Sequence, residues 1–168
     1  ERTKIQWGTS ICYPASSMSC HVSACPNHQT GRTTPFETRG AVASLGAFGY
    51  ELDLSKLSEE EKERVKVQIL NYKEIDDLIL KGDLYRLSNP FNSNYFCEML
   101  VSKDKTSAYI VGERFRNEPN GHEELLKIHG LADEKIYRIA ELNVKVSGNA
   151  LSGKGIVLPR IGDCESWT

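Results

Sequence analysis

The stretch CHVSACPNH, residues 20 to 28, gathers two cysteines and two histidines into a short span without helical or strand periodicity. Such a cluster suggests a metal knuckle. Zinc takes about four Cys or His ligands in a tetrahedron, usually as paired short spacings separated by a longer stretch. Cys25 and His28 have an acceptable spacing, and Cys12 is available as a further ligand. Cys20 and His21 are immediate neighbours, which makes joint ligation awkward. A second constellation is Glu51 with Asp53, two residues apart at the end of the strand-like run FGYELDL. That spacing turns both carboxylates to one side, as acid/base work needs. The alternative for the same two residues is a loop carboxylate and a helix-approach Asp bonded to backbone groups. Trp7 and Trp167 have rings that could stack on a ligand, but a helix tail and a strand region respectively suit packing as well.

These residues must be positioned by the elements around them. TSICYP, residues 9 to 14, has the form of a short buried strand ended by Pro14. A polar loop of about 20 residues then runs from Ala15 to about Thr33, and loops of that length are usually functional or disordered. Thr34 as cap, Pro35 at the first helical position and Glu37 completing a capping box predict a helix from Pro35 to Leu45, stopped by Gly46. FGYELDL is a second short strand. Ser58 and Glu61 form another capping box, and Glu59, Glu60 and Glu61 complement the helix dipole. Val65, Ile69, Tyr72, Ile75 and Ile79 recur at steps of three and four, so a helix with one apolar face runs to Gly82. Glu60 and Arg64 are a favourable i, i+4 pair.

After Gly82 the period changes to two. YFCEMLVS places Tyr95, Cys97, Met99 and Val101 on one face. SAYIVGERF, LLKIHGL, KIYRIAEL and GIVLP follow as strand candidates, separated by the polar turns SKDKT, RNEPNGHE and LADE. The order strand, loop, helix, strand, helix is the repeating unit of a parallel α/β fold, and too little of it is present for a complete sheet. The later strands suggest an antiparallel sandwich. A domain boundary is expected near Gly82.

Composition sets further bounds. The chain has 168 residues, 39% apolar and 26% charged, with a formal charge of −2. That balance gives no electrostatic case for nucleic acid or an anionic membrane. No run approaches the roughly 18 apolar residues that a membrane span needs. The five cysteines are odd in number and irregular in spacing, which argues for reduced thiols and a cytoplasmic setting over a secreted disulfide framework. The opening ERTKIQW has no initiator Met and no apolar signal core, as expected of a segment from a longer protein.

Several stretches resemble one family. KIQWGTSICYPASSM, HVSACPNHQTGRTTPFETRG, FGYELDLSKLSEEEKE and YKEIDDLILKGDLYRL are similar, in order and without large gaps, to the C-terminal part of family 36 glycoside hydrolases, the α-galactosidases of melibiase and raffinose-degrading type. The likeness is close from residue 1 to about Leu87 and weaker from there to GIVLPRIGDCESWT. It implies the last part of a (β/α)8 TIM barrel over 1–82, with ICYP as strand seven and Phe48 to Leu52 as strand eight. A C-terminal antiparallel β-sandwich domain over 83–168 follows. It also implies hydrolysis of terminal α-galactosyl residues, as in melibiose or raffinose, with retention of configuration.

Retention needs two carboxyl groups about 5 Å apart. In the family these are aspartates in a KWD-type motif on strand four and an SD-type motif just upstream of ERTKIQ. Neither motif occurs in this chain, so the resemblance implies no catalytic residue here and no activity for the chain alone. If strand seven ends near Pro14, then His21, Asn27, His28 and Arg32 lie on the catalytic face, where a sugar site needs hydrogen-bonding side chains. His21, His28 and Arg32 are therefore candidate substrate-binding residues. The opposing reading is that both histidines are bonded to backbone and hold the loop in shape. The family pattern includes the histidines and does not depend on cysteines at 12, 20 or 25, which weakens the zinc reading. No cofactor is expected. The remaining alternative is a non-catalytic packing or oligomerisation segment, and the full-length family enzymes suggest a homo-oligomer.

Overall fold

The computed structural model describes residues 1–121 and 124–168. The first half alternates helix and strand: α1 (Arg2–Thr9), β1 (Ser19–Ser23), α2 (Phe36–Ala43), β2 (Ala47–Glu51) and the long α3 (Glu59–Lys81). β1 and β2 pair in parallel, with His21 opposite Gly49 and Ser23 opposite Glu51. The second half is dominated by strands. β3 (Asp83–Arg86), β4 (Tyr95–Val101), β5 (Ala108–Arg114) and β10 (Glu165–Trp167) form an antiparallel sheet in the order β10-β5-β4-β3. Two short ladders accompany it: β6 (Leu125–Leu126) with β9 (Ile156–Val157), and β7 (Ile136–Ile139) with β8 (Val144–Ser147), which leads into α4 (Gly148–Gly153). The architecture is thus mixed α/β followed by all-β, and no barrel closes among the described residues. The turn expected over RNEPNGHE ends in His122 and Glu123, which lie outside them.

Several expectations need correction. The strand is not ICYP. Ile11 and Tyr13 are 60% and 62% exposed in the turn after α1. The strand is SCHVS, whose Cys20 and Val22 are buried at 1% and 0% exposure while Ser19, His21 and Ser23 point the other way. The loop leaving it is correspondingly shorter, from 24 to 35. At α2 the N-cap is Pro35 and no side chain caps the helix. Thr34 instead uses its carbonyl to accept from Arg39 Nε (3.2 Å), and Glu37 pairs with Arg64 (2.9 Å). The capping box at Ser58 and Glu61 does form, in both directions.

Gly82 ends α3 for a steric reason. Its φ is −71°, open to any residue. A Cβ there would lie 2.5 Å from the Leu78 carbonyl oxygen and 2.9 Å from that of Val101, so only glycine lets the helix end meet β4. Gly112 on β5 is required in the same way, because the Trp167 ring lies across it, with Cζ2 1.9 Å from where a Cβ would stand.

One apolar cluster spans both halves: Cys20, Val22, Phe36, Ala43, Leu45, Val65 and Ile79 pack with Phe96, Leu100 and Val111 of the antiparallel sheet. A second cluster on the sheet's far side joins Cys97, Met99 and Val101 to Leu126, Ile128 and Leu151. Of the expected apolar face of α3, Val65 and Ile79 are buried and Tyr72 stacks on Phe48 at 5.0 Å, but Ile69 is exposed.

Polar bonds fasten α1 to the sheet. Trp7 Nε1 donates to the Ser88 carbonyl at 2.9 Å, which makes Trp7 a packing residue. Thr3 Oγ1 donates to Glu113 Oε2 at 2.5 Å. Arg86 donates to Ser10 Oγ at 2.8 Å, and Ser10 Oγ lies 3.4 Å from Glu98 Oε1.

Candidate functional site

The C-terminal ends of the two parallel strands carry the polar constellation. Strand geometry alternates side chains between faces. On β1 and β2 the helix-facing positions are Cys20, Val22, Phe48 and Tyr50, all packed into or against the core. The opposite face carries Ser19, His21 and Ser23 from β1 and Ala47, Gly49 and Glu51 from β2. Glycine at 49, directly beside His21 in register, places no side chain next to the imidazole. His21 Nε2 meets Glu51 Oε2 diagonally across the pair, and the two side chains are 27% and 72% exposed.

The loop 24–35 is held by its own bonds. Asn27 Oδ1 accepts from the backbone of Gln29 and of Thr30, both at 3.0 Å, and from Thr30 Oγ1 at 3.1 Å. Asn27 N donates to the Arg32 carbonyl (2.9 Å), and Gly31 N returns to the Asn27 carbonyl (2.8 Å). Gly31 adopts φ +66°, the left-handed region that favours glycine. Two arginines clamp the end of β1: Arg2 donates to Ser23 Oγ and Arg39 to the Ser23 carbonyl, each at 2.6 Å. Between α1, β1, the loop and α2 lies a cleft of about 180 Å³, lined among others by Arg2, His21, Asn27, Arg32 and Arg39.

The structure therefore brings His21 and Arg32 to one cleft and leaves His28 exposed on the loop, outside its lining. His21 belongs to the strand and not to the loop. The Glu51–Asp53 carboxylate pair does not form. Asp53 caps a short 3-10 turn, accepting from Ser55 N (3.0 Å) and Ser55 Oγ (2.6 Å), and those bonds hold its carboxyl below the usual range. Glu51 turns to His21 instead. Sequence reasoning missed that partnership, although the polar–apolar alternation of SCHVS was the signal for it.

The same alternation separates Cys20 from His21. Cys20 is buried in the core, where burial pushes its thiol up to about 11, while His21 faces the other way. Two neighbours on opposite faces of a strand cannot share a metal ion. Among the described residues no three His, Cys, Asp or Glu side chains come together as a ligand set. The five cysteines are all free thiols.

Comparison with known proteins adds the family. The family model for melibiase matches residues 1–82, and that for the glycosyl hydrolase family 36 C-terminal domain matches 95–168. The bifunctional alpha-galactosidase/sucrose kinase AgaSK of Mediterraneibacter gnavus is 44% identical over 94% of this chain and 17% of its own length. Alpha-galactosidase AgaA of Geobacillus stearothermophilus is 44% identical over 94% of this chain and 22% of its own. The chain thus spans about a fifth of the length of these relatives. The solved structure of the AgaSK galactosidase domain superposes with a TM-score of 0.94 at 42% identity, covering 99% of this chain and 23% of that one. AgaA superposes with a TM-score of 0.94 at 43% identity over the same shares. Two models of a single family succeed one another along the chain, and relatives above 40% identical run beside nearly all of it: the chain belongs to glycosyl hydrolase family 36.

Proposed function

We propose that this chain is part of a retaining α-galactosidase that hydrolyses terminal α-galactosyl residues of oligosaccharides such as melibiose and raffinose. The observation that carries the reading is identity of 44% over 94% of the chain to AgaA, an alpha-galactosidase, together with the superposition on its structure. A variant of that enzyme has been solved with raffinose and another with stachyose. In this reading residues 1–82 are strands seven and eight of a (β/α)8 barrel with their helices. Residues 83–168 are a C-terminal β-sandwich domain. The polar end of β1 and β2 is then the catalytic face, because barrel enzymes build their sites where the strands end.

The two catalytic aspartates lie upstream of residue 1, so this chain supplies wall and loop but not the nucleophile or the acid. Arg32 from the cleft and His28 from the exposed loop are its candidate sugar contacts, with His21 behind them on the strand. The working enzyme is a cytoplasmic homo-oligomer that binds neither nucleic acid nor membrane, and no cofactor takes part. The formal charge of −2 favours no anionic partner, and no helix among the described residues is long and apolar enough to cross a membrane.

A chimera tests the reading. These 168 residues replace the matching C-terminal segment of AgaA, and melibiose hydrolysis is measured. Turnover is expected from the chimera, and none from the 168-residue chain alone on a chromogenic α-galactoside. A folded but inactive chimera, or an active isolated chain, overturns it.

A further inference from the structure

Three arginines line the cleft at the end of β1, and they are held in different ways. Arg2 and Arg39 commit their guanidinium groups to Ser23. The exposed Arg32 guanidinium makes no hydrogen bond or ion pair among the described residues. Its backbone is the reverse, bonded on both sides. Asn27 N donates to the Arg32 carbonyl at 2.9 Å, and Arg32 N donates to Thr30 Oγ1 in a long bond of 3.4 Å. That hydroxyl donates in turn to Asn27 Oδ1 at 3.1 Å. Asn27 thus grips Arg32 twice, directly through its own N–H and by way of Thr30 through its side-chain oxygen. The Asn27 carbonyl takes the N–H of Gly31, where a φ of +66° turns the chain.

We propose that Asn27 is a positioning residue for substrate binding: it fixes residues 27 to 32 so that the Arg32 guanidinium stands at the cleft to donate to sugar oxygens, and it makes no sugar contact itself. This rests on the α-galactosidase reading and deepens it by giving two residues of the loop distinct parts. A guanidinium presents five N–H donors and no acceptor, which suits the oxygens of a neutral sugar. A loop that must be ordered on binding costs affinity, and a loop ordered beforehand avoids that cost. The part played by Asn27 needs only an acceptor at Oδ1, and the turn it closes onto Gln29 N and Thr30 N is one that Asp also makes. A sugar contact would use the amide Nδ2 instead, which makes no hydrogen bond among the described residues. The oxygen and the amide nitrogen therefore separate the two roles.

In the AgaA chimera, melibiose hydrolysis is measured for Arg32→Ala, Asn27→Ala, Asn27→Asp and the double alanine variant. Arg32→Ala is expected to raise KM roughly tenfold while kcat changes by less than about threefold, as the loss of a binding contact shared by ground and transition states does. Asn27→Ala raises KM roughly three- to tenfold, again with kcat little changed. Asn27→Asp keeps the acceptor and stays within about twofold of the unsubstituted chimera. The double variant binds no worse than Arg32→Ala alone, because Asn27 acts only through Arg32. An unchanged KM in either alanine variant, an Asn27→Asp variant as weak as Asn27→Ala, a further loss in the double variant, or losses that follow the melting temperature each overturn the positioning role and leave the glycosidase reading intact. A folded but inactive unsubstituted chimera overturns the glycosidase reading itself, and this role with it.

Discussion

The parallel pair and the antiparallel sheet treat their two faces differently. β4 is buried on both sides: Phe96, Glu98 and Leu100 turn toward the helices, and Cys97, Met99 and Val101 toward the second cluster. β1 buries only Cys20 and Val22, and its other face is polar. Glutamates show the consequence. Glu98 and Glu113, at 0% and 8% exposure, sit where the sheet meets α1, Glu113 facing the hydroxyl of Thr3 in that helix and Glu98 that of Ser10 just past its end. Burial pushes the Glu98 carboxyl up to about 7 against the lowering influence of Arg86 and Ser10. Burial raises Glu113 as well, opposed by the bond from Thr3. Glu51 lies on the polar face of the parallel pair and meets the His21 imidazole. The same side chain is desolvated beside a hydroxyl in one sheet and paired with an imidazole in the other.

The sharpest way to break that contrast is to empty the seam. Phe96→Ala removes a ring with 0% exposure from the cluster that joins the two halves. A loss of about 3–5 kcal/mol is expected by urea denaturation. A loss below ~1 kcal/mol would mean that the halves are not joined through this core.

The buried acid provides the next test. Because the folded-state pKa of Glu98 lies above its ordinary 4.5, folding favours the protonated form. The stability associated with it is complete below about 4.5 and is lost as pH rises to about 7, levelling off above. At ~1.4 kcal/mol per pH unit that window amounts to about 3 kcal/mol. Glu98→Gln keeps the shape and cannot ionise, so urea midpoints measured across this range should lose most of their pH slope. An unchanged slope would show that Glu98 is not the group responsible.

Smaller effects come from local structure outside both sheets. Ser58 Oγ accepts from Glu61 N at 3.2 Å, and Ser58→Ala should cost about 1 kcal/mol in thermal unfolding. Glu63→Ala removes an exposed partner of Lys66 (2.6 Å) and should leave the melting temperature unchanged at physiological salt. A marked drop there would mean that α3 depends on its surface charges more than on its buried face.

Much of the order of elements was legible in the sequence. The 3.6-residue period and the Ser58–Glu61 box mark α3 because both signals are local, and the period-two run of YFCEMLVS marks β4 for the same reason. ICYP misled because Ile11 and Tyr13 have strand-forming side chains, whereas SCHVS offers only Val22 among strong strand formers. What makes SCHVS a strand is its pairing with AFGYE, more than 20 residues away in the chain. The Thr34 box failed because the helix begins one residue later, with Pro35 at the N-cap, and the Glu37 carboxylate goes to Arg64 instead.

The sequence alone determined the family, the α/β then all-β succession, the long capped helix and the residues able to do chemistry near the loop. Those properties depend on local pattern and on motifs read in order. Only the tertiary structure decided that Cys20 belongs to the core and His21 to the opposite face, that Asp53 is a cap, and that His21's partner is Glu51. Each of those follows from strand register, which joins positions distant in the chain, and a shift of one residue would exchange the two faces.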